Sequence, residues 1–295
     1  MEILKLKTIT EFFEKGLEQH IRYKTTPIEL MEPMTYSLLN GGKRVRPVML
    51  LWVLAIQSMD AVKAGLNTAN ALEAIHTYSL IHDDLPAMDN DDYRRGMLTN
   101  HKKFDEATAI LAGDALLTDA FGMIADDDQL KPEQKVKLIS LLSQAAGSVG
   151  MVAGQVFDIQ AENKTITHEQ LANIHFLKTG KLFLFAVQAA AIIANLTASE
   201  RQLLETFATH FGRAFQIHND IMDEIGTPTE TGKKTQADSE LHKATYPALL
   251  TLEGAKEALN ADLEKARSAL NELTETTGKP YDSLEVFLQF VTLEQ

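Results

Sequence analysis

The sequence predicts an all-α protein, a single helical bundle built around a central cavity. Nearly every long segment spaces its apolar residues at helical intervals, and no segment shows a convincing alternation of period two. No Pro-, Gly- or Ser-rich linker divides the 295 residues, so residues 1–295 read as one domain. Acidic clusters at the ends of two of the predicted helices suggest what the cavity holds.

The helices are placed in order. Segment 34–59 reads as a helix bordered or interrupted by Gly41 and Gly42, with Arg46-Pro47 as a second break. Segment 66–85 must be disturbed at Pro86, which lacks the N–H and clashes with the preceding turn. Segment 104–125 runs into the acidic turn Asp126-Asp127-Asp128, ahead of Pro132. The stretches 133–161 and 168–195 follow, the latter starting after Thr167 with Glu169 and Gln170 as capping candidates. A helix over 199–225 leads to the polar loop 226–239, and helices at 247–276 and 280–292 close the chain.

Composition excludes several classes. The chain is 45% hydrophobic and 23% charged, as an ordinary globular protein is. It has no cysteine, which removes disulfides, thiolate catalysis and cysteine-held metals and fits a reducing cytoplasm. A net charge of −13 disfavours non-specific nucleic-acid binding. The N-terminal MEILKLKTITEFFEKG has neither a long apolar core nor a small-residue cleavage site, so no signal peptide is expected. The nearly apolar run from Leu182 to Ala194 is too short to span a bilayer and reads as a buried helix. The expectation is a cytoplasmic protein without stable membrane insertion.

The first acidic cluster, DDLPAMDNDDYRRG at 83–96, sets five aspartates within ten residues at the end of the apolar run Ala74–Ile81. Such crowding is repulsive unless cations lie between the carboxylates. Oxygen donors without cysteine favour magnesium or manganese, completed by water and phosphate. The second cluster is Asn219-Asp220-Ile221-Met222-Asp223-Glu224. Asp220 and Asp223 are three apart, on one helical face, and Gln216 lies four residues earlier on nearly the same stripe. Alone it is an ordinary helix end. Opposed across a cavity, the two clusters describe a grip for a diphosphate through divalent ions.

Basic residues are local. Lys43, Arg44 and Arg46 follow two glycines, Arg94-Arg95 ends the first acidic cluster, and Lys178-Thr179-Gly180-Lys181 interrupts an apolar helix. Arginine forks and lysine point charges suit phosphate. Lys233 lies in a loop suited to act as a water-excluding lid, and Lys243 follows it.

Together GGKRVRP at 41–47, DDLPAMDNDDYRRG at 83–96, KTG at 178–180, FQ at 215–216, GKK at 232–234 and KATYP at 243–247 closely resemble the short-chain trans-prenyl diphosphate synthases of the bacterial farnesyl type. The resemblance runs from about Tyr36 to Pro247 and implies an isoprenoid synthase-type helical bundle. It implies magnesium, three ions with bound diphosphate and manganese as a substitute, held by Asp83 and Asp89, with Asp84 in support, and by Asn219, Asp220 and Asp223. Pro86 and Ala87 match a two-residue insertion typical of the bacterial group. Lys43, Arg46, His76 and Arg95 resemble the groups that hold isopentenyl diphosphate; Arg94, Lys178, Lys233 and Lys243 resemble those that hold the allylic diphosphate. Thr179 and Gln216, beside Lys178, resemble the groups that stabilise the developing allylic cation. His76 lies two helical turns before Asp83, on nearly the same face, which agrees with a shared cavity.

The implied reaction joins isopentenyl diphosphate head to tail to dimethylallyl and then geranyl diphosphate, giving (2E,6E)-farnesyl diphosphate; the alternative is a geranylgeranyl diphosphate synthase. A homodimer is implied too. The residues five and four before the first aspartate, Tyr78 and Ser79, occupy the family's chain-length positions. Tyr78 is expected to reach into the floor from the side, while small Ser79 leaves room for fifteen carbons. One departure stands out: the second motif begins Asn219-Asp220 where the family has two aspartates, so one ion is expected to be held less tightly. An Asn-Asp start also resembles class I terpene cyclases, but their serine and glutamate are replaced by Asp223 and Thr227. A non-catalytic partner subunit is a further alternative that Asn219 leaves open.

Overall fold

The computed structural model describes residues 2–22, 26–162, 164–226 and 244–293. The first helix, α1 (Glu2–Arg22), occupies a stretch to which the sequence reading assigned no element. Its cause is visible in the buried Ile9, Phe13, Leu17 and Ile21, a four-residue spacing that lines one helical face. Helices α2 (Ile28–Leu38) and α3 (Val45–Gln57) replace the single interrupted segment 34–59. Between them Gly42 takes φ +105°, a conformation that side chains resist. Arg46-Pro47 is no break: both residues lie in the first turn of α3, where a missing N–H costs nothing.

Helix α4 (Met59–Asp83) is capped by Ser58, whose hydroxyl accepts from Ala61 N at 3.1 Å, and ends three residues before Pro86. The chain then forms a small hairpin that period-two reasoning did not reveal. Strands β1 (Tyr93–Arg94) and β2 (Met97–Leu98) pair antiparallel across Arg95 and Gly96, both at positive φ. Two residues per strand are too few to show any alternation, so the turn geometry alone makes this hairpin.

After the short α5 (Asn100–Lys103) come α6 (Glu106–Ala125), α7 (Pro132–Ala146) and α8 (Met151–Ala161). The last two correct the expected single helix 133–161, which breaks over residues 147–150. Gly150 adopts φ −132° and ψ −127°, outside any helix, and a Cβ there would lie 2.1 Å from the Ala145 carbonyl oxygen. The stretch 168–195 resolves into α9 (His168–His175), a π-helical turn (Phe176–Gly180) and α10 (Lys181–Ile193). Thr167 and Gln170 form the anticipated reciprocal cap. Helix α11 (Ala198–Ile225) is capped by Thr197 and Glu200, α12 spans Tyr246–Thr277, and 3₁₀ turns cover Tyr281–Phe290 in place of the expected α-helix.

Helix α4 packs between α3 and α6, α10 against α3, α7 and α11, and α11 against α10 and α12. These contacts enclose one contiguous core. Phe183 meets Phe211 edge-on at 5.0 Å between ring centroids, joining α10 to α11. Each such fully buried ring contributes about 1.5–3 kcal/mol of transfer free energy. The terminal turns are pinned by Trp52, whose indole N–H donates to Ser283 at 3.0 Å while its ring meets Phe287 edge-on.

Three stretches, Glu106–Ala125, Pro132–Ala161 and His168–Ile193, are long and apolar enough by length and composition to cross a membrane, so the Leu182–Ala194 run is part of a longer apolar stretch than the sequence reading allowed. In the fold, α10 commits its apolar side chains to the core. By contrast Leu111, Val136 and Val149 on and between α6, α7 and α8 stay exposed.

Helix α8 abuts the π turn so closely that a Cβ at Gly154 would lie 2.3 Å from the Lys178 backbone nitrogen. Backbone cannot swing aside as a side chain can. Gly154→Ala is therefore expected to lower stability by about 1–3 kcal/mol in denaturant unfolding. Gly122→Ala, with nothing within 4 Å of its new methyl, is expected to be neutral or slightly stabilising in the same assay.

Candidate active site

Helices α3, α4, α8, α10 and α11 surround two adjoining chambers. The larger has a volume of about 880 Å³ and exposes more apolar than polar surface, from residues such as Tyr78, Ile110, Val156 and Phe215, with Arg44, Arg46, Glu73 and His76 also in its lining. The outer, about 430 Å³, is lined by Asp83, Asp89, Asp91, Asp220 and Asp223. Asp83 itself borders both, as do Leu80, Lys43, Arg94, Arg95, Lys178, Thr179, Gln216 and Asn219. A ring of cations and amides thus separates an acidic mouth from an apolar pit.

The first acidic cluster is shaped by the backbone. The turn after α4 folds back so that Asp89 N donates to the Asp83 carbonyl oxygen at 2.8 Å, with Asn90 at φ +52°. Both aspartates thereby face the outer chamber. Burial pushes the Asp83 carboxyl up to about 6; Lys178 and Arg94 oppose that rise, while Asp89 and Asp84 add to it. Asp84 plays a different part. It is buried, and its carboxylate is gripped by Arg94, with Nε at 2.7 and 3.0 Å from its two oxygens and Nη2 at 2.5 Å from the first.

Most of the cations here are anchored from behind. Arg44, the residue of GGKRVRP for which no substrate role was expected, is buried at the start of α3 with φ +48° and pairs with buried Glu73 of α4 at 2.5 Å. It also donates to the Leu38 carbonyl at 2.9 Å, fixing the glycine turn. Arg95 donates to Gly41 O at 2.6 Å and lies across Gly42, where a Cβ would meet the guanidinium carbon at 2.5 Å. Arg46 stacks on Phe183, 4.4 Å from the ring centre, and its Nη1 lies 3.4 Å from His76 Nε2. Burial, then Arg46 and the other arginines, hold His76 well below its usual range, so it is neutral and accepts. Lys178, presented by the π turn, pairs with Asp158 of α8 at 2.6 Å.

Thr179 and Gln216, to which the resemblance gives the role of stabilising an allylic cation, lie side by side. Thr179 Oγ1 donates to Gln216 Oε1 at 3.1 Å, and Gln216 Nε2 donates to Asp220 Oδ1 at 3.3 Å. Asp220 is almost wholly buried; its other oxygen accepts from Tyr246 N at 3.0 Å, tying the start of α12 to α11. Asn219, rather than Asp220, borders both chambers. Tyr78 and Ser79 both line the apolar pit, and the Ser79 hydroxyl is turned back onto the His76 carbonyl at 2.8 Å. Lys233 and Lys243 lie outside the described residues.

Sequence reasoning missed Glu73, Asp158 and His175. Glu73 carried a signal, a lone acid inside the apolar stripe of α4, one turn before His76. Asp158 had none, because it meets Lys178 only through the packing of α8 on the π turn. His175 is buried, stacks on Tyr246 at 5.5 Å and is pushed down to about 3 by burial.

Among the described residues no three His, Asp or Glu side chains converge to hold an ion by themselves. Magnesium is commonly held by one or two carboxylates together with water and substrate phosphate. The crowded Asp83, Asp84 and Asp89 supply the negative charge that such an ion would neutralise.

An all-helical cup whose acidic mouth and basic ring guard an apolar pit is built for a substrate with a diphosphate head and a hydrocarbon tail. The chain belongs to the polyprenyl synthetase family, which it matches over residues 27–279. It is 49% identical over 259 residues to the farnesyl diphosphate synthase of Geobacillus stearothermophilus, covering 87% of each chain. Its fold superposes with a TM-score of 0.89 on a geranyltransferase from Helicobacter pylori complexed with magnesium and isoprenyl diphosphate, at 32% identity over 98% of this chain and 96% of that one. It superposes at 0.84 on an FPP/GFPP synthase from Zymomonas mobilis, at 33% identity, covering 98% and 100%.

The raised Asp83 value has a consequence for stability. A folded value above the ordinary 3.8 means the ionised carboxylate is penalised by folding. The penalty is absent at low pH, grows between roughly pH 4 and 6, and is complete above that window. In magnesium-free buffer Asp83→Asn is therefore expected to be more stable than the parent at pH 8, by on the order of 1–3 kcal/mol. The difference should vanish near pH 4 in matched thermal melts, and equal melting at pH 8 would contradict it.

Proposed function

We propose that this chain is a magnesium-dependent prenyltransferase that condenses isopentenyl diphosphate head to tail with dimethylallyl and then geranyl diphosphate, releasing (2E,6E)-farnesyl diphosphate. The observation that carries the reading is the division of one cavity into an acidic chamber and an apolar one, with Thr179, Gln216 and a ring of cations at the junction. Asp83 and Asp89 on one side, and Asn219, Asp220 and Asp223 on the other, would hold magnesium against the allylic diphosphate; three ions are the expected number, with manganese able to replace them. Bound magnesium supplies charge neutralisation for the leaving diphosphate.

The protein's own residues account for the remaining steps. Lys178 and Arg94 orient the allylic diphosphate so that its C–O bond breaks, the diphosphate leaving with the electron pair. The oxygens of Thr179 and Gln216 face the allylic cation left behind and stabilise it. Lys43, Arg46, Arg95 and neutral His76 hold isopentenyl diphosphate with its double bond toward that cation, and a carbon–carbon bond forms. The proton then lost passes to the departed diphosphate, so no protein base is assigned. The apolar pit receives the growing chain and excludes water from the cation. The family resemblance also assigns Lys233 and Lys243, outside the described residues, to the allylic diphosphate.

A homodimeric, cytoplasmic enzyme is part of the same reading. Leu111, Val136 and Val149 are exposed large apolar side chains of the kind a second copy would cover.

Purified protein given isopentenyl and dimethylallyl diphosphates with magnesium should yield a fifteen-carbon diphosphate, and chelation should abolish turnover. Folded Asp83→Ala is expected to lose roughly 10²–10³ in kcat; wild-type turnover would remove the metal role of Asp83. A cyclic hydrocarbon from farnesyl diphosphate would instead mark a cyclase.

Tyr78, 6% exposed and lining the pit, is proposed as its floor. Tyr78→Ala should shift the product toward twenty carbons or more, read by chain-length analysis after dephosphorylation. An active variant that still stopped at fifteen would transfer the floor to another side chain.

A further inference from the structure

We propose that His82, seated against Gly113, is a positioning residue for product length: its ring holds Tyr78 in place and so fixes where the growing chain stops. This rests on reading the apolar pit as the site of the prenyl chain. His82 follows Tyr78 by four residues on α4, so the two side chains lie on one stripe of the helix. Their rings meet edge-on, 5.7 Å between centroids at 77°. Both rings line the pit, as does Ile110 on the facing helix α6.

The imidazole is itself held from α6. His82 Nε2 lies 3.1 Å from the Ile110 carbonyl oxygen, which can only accept, so Nε2 donates in this contact. Asp114 Oδ1 stands 3.9 Å from the same nitrogen. The seat exists only because residue 113 is glycine: a Cβ there would lie 2.2 Å from Nε2 and 2.5 Å from Cδ2. Gly113 does not line the pit, so it bears on the pit only through the ring it admits. Tyr78 extends from α4 into the lining of the pit. The neighbouring imidazole is the aromatic partner that keeps it there.

Removing the imidazole leaves space beside Tyr78 into which the phenol ring can turn, and the floor recedes. The test compares wild type, His82→Ala, His82→Gln and Gly113→Ala with isopentenyl and dimethylallyl diphosphates and magnesium, measuring the ratio of twenty- to fifteen-carbon products and kcat separately. H82A should raise that ratio about tenfold, a difference of about 1.4 kcal/mol between extending and releasing the fifteen-carbon product. H82Q, whose amide can keep the Ile110 contact but which lacks the ring, should raise the ratio as H82A does, and a wild-type ratio there would overturn the role of the ring. G113A should change the ratio without altering any residue that lines the pit. A merely structural role would lower kcat and leave the ratio alone, and an unchanged ratio in H82A would overturn the proposal. Should H82A fail to fold, an unchanged ratio in G113A overturns it equally. A wild-type chain that elongated nothing would overturn the prenyltransferase reading instead.

Discussion

Four cations at this cavity, Arg44, Arg94, Arg95 and Lys178, are held by oxygens behind them, and the arrangement of the cavity depends on that anchoring. Arg44 is locked to Glu73, Arg94 to Asp84 and Lys178 to Asp158, while the backbone carbonyl of Gly41 receives Arg95. Without these partners, positive charges crowded beside a largely apolar pit would repel one another and draw water inward. With them, each guanidinium or ammonium presents a fixed face to the chamber. Buried pairs of this kind add little net stability, because desolvation offsets most of the attraction. Their contribution is geometric: they decide where a diphosphate would meet charge.

The same logic governs the acidic side. Asp220 is spent on the Gln216 amide and the first N–H of α12, so it joins two helices as well as bordering the chamber. Asn219 occupies the position between the chambers with an amide in place of a charge. The second half-site is consequently poorer in negative charge than the first, where Asp83, Asp84 and Asp89 crowd together. The Thr179–Gln216 pair sits between the two, reached from one side by the π turn and from the other by α11. A π turn widens the helix locally, and here it allows Lys178 and Thr179 to face inward from one short segment.

Much of this was legible in the sequence for a local reason. Helical periodicity, caps such as Thr167–Gln170, and the clustered aspartates are written in neighbouring residues, so the all-α class, most of the helices and the two acidic helix ends followed from spacing alone. So did the placing of His76 and Asp83 on one face, since a helix carries that relation within itself. Family resemblance assigned roles to the motif residues that spacing could not.

Tertiary packing decided the rest. The hairpin at Tyr93–Leu98 is too short to leave a pattern, and the break after α7 rests on a glycine that looked compatible with a continuous helix. Asp158 pairs with Lys178, and His82 with the Ile110 carbonyl, across helices whose contact no local spacing encodes. The chemistry available to the site was therefore set by the chain's own motifs. Which charges are committed to each other, and how the pit is floored, came from the way α4, α6, α8 and the π turn meet, because those partners lie on different helices and become neighbours only when the bundle closes.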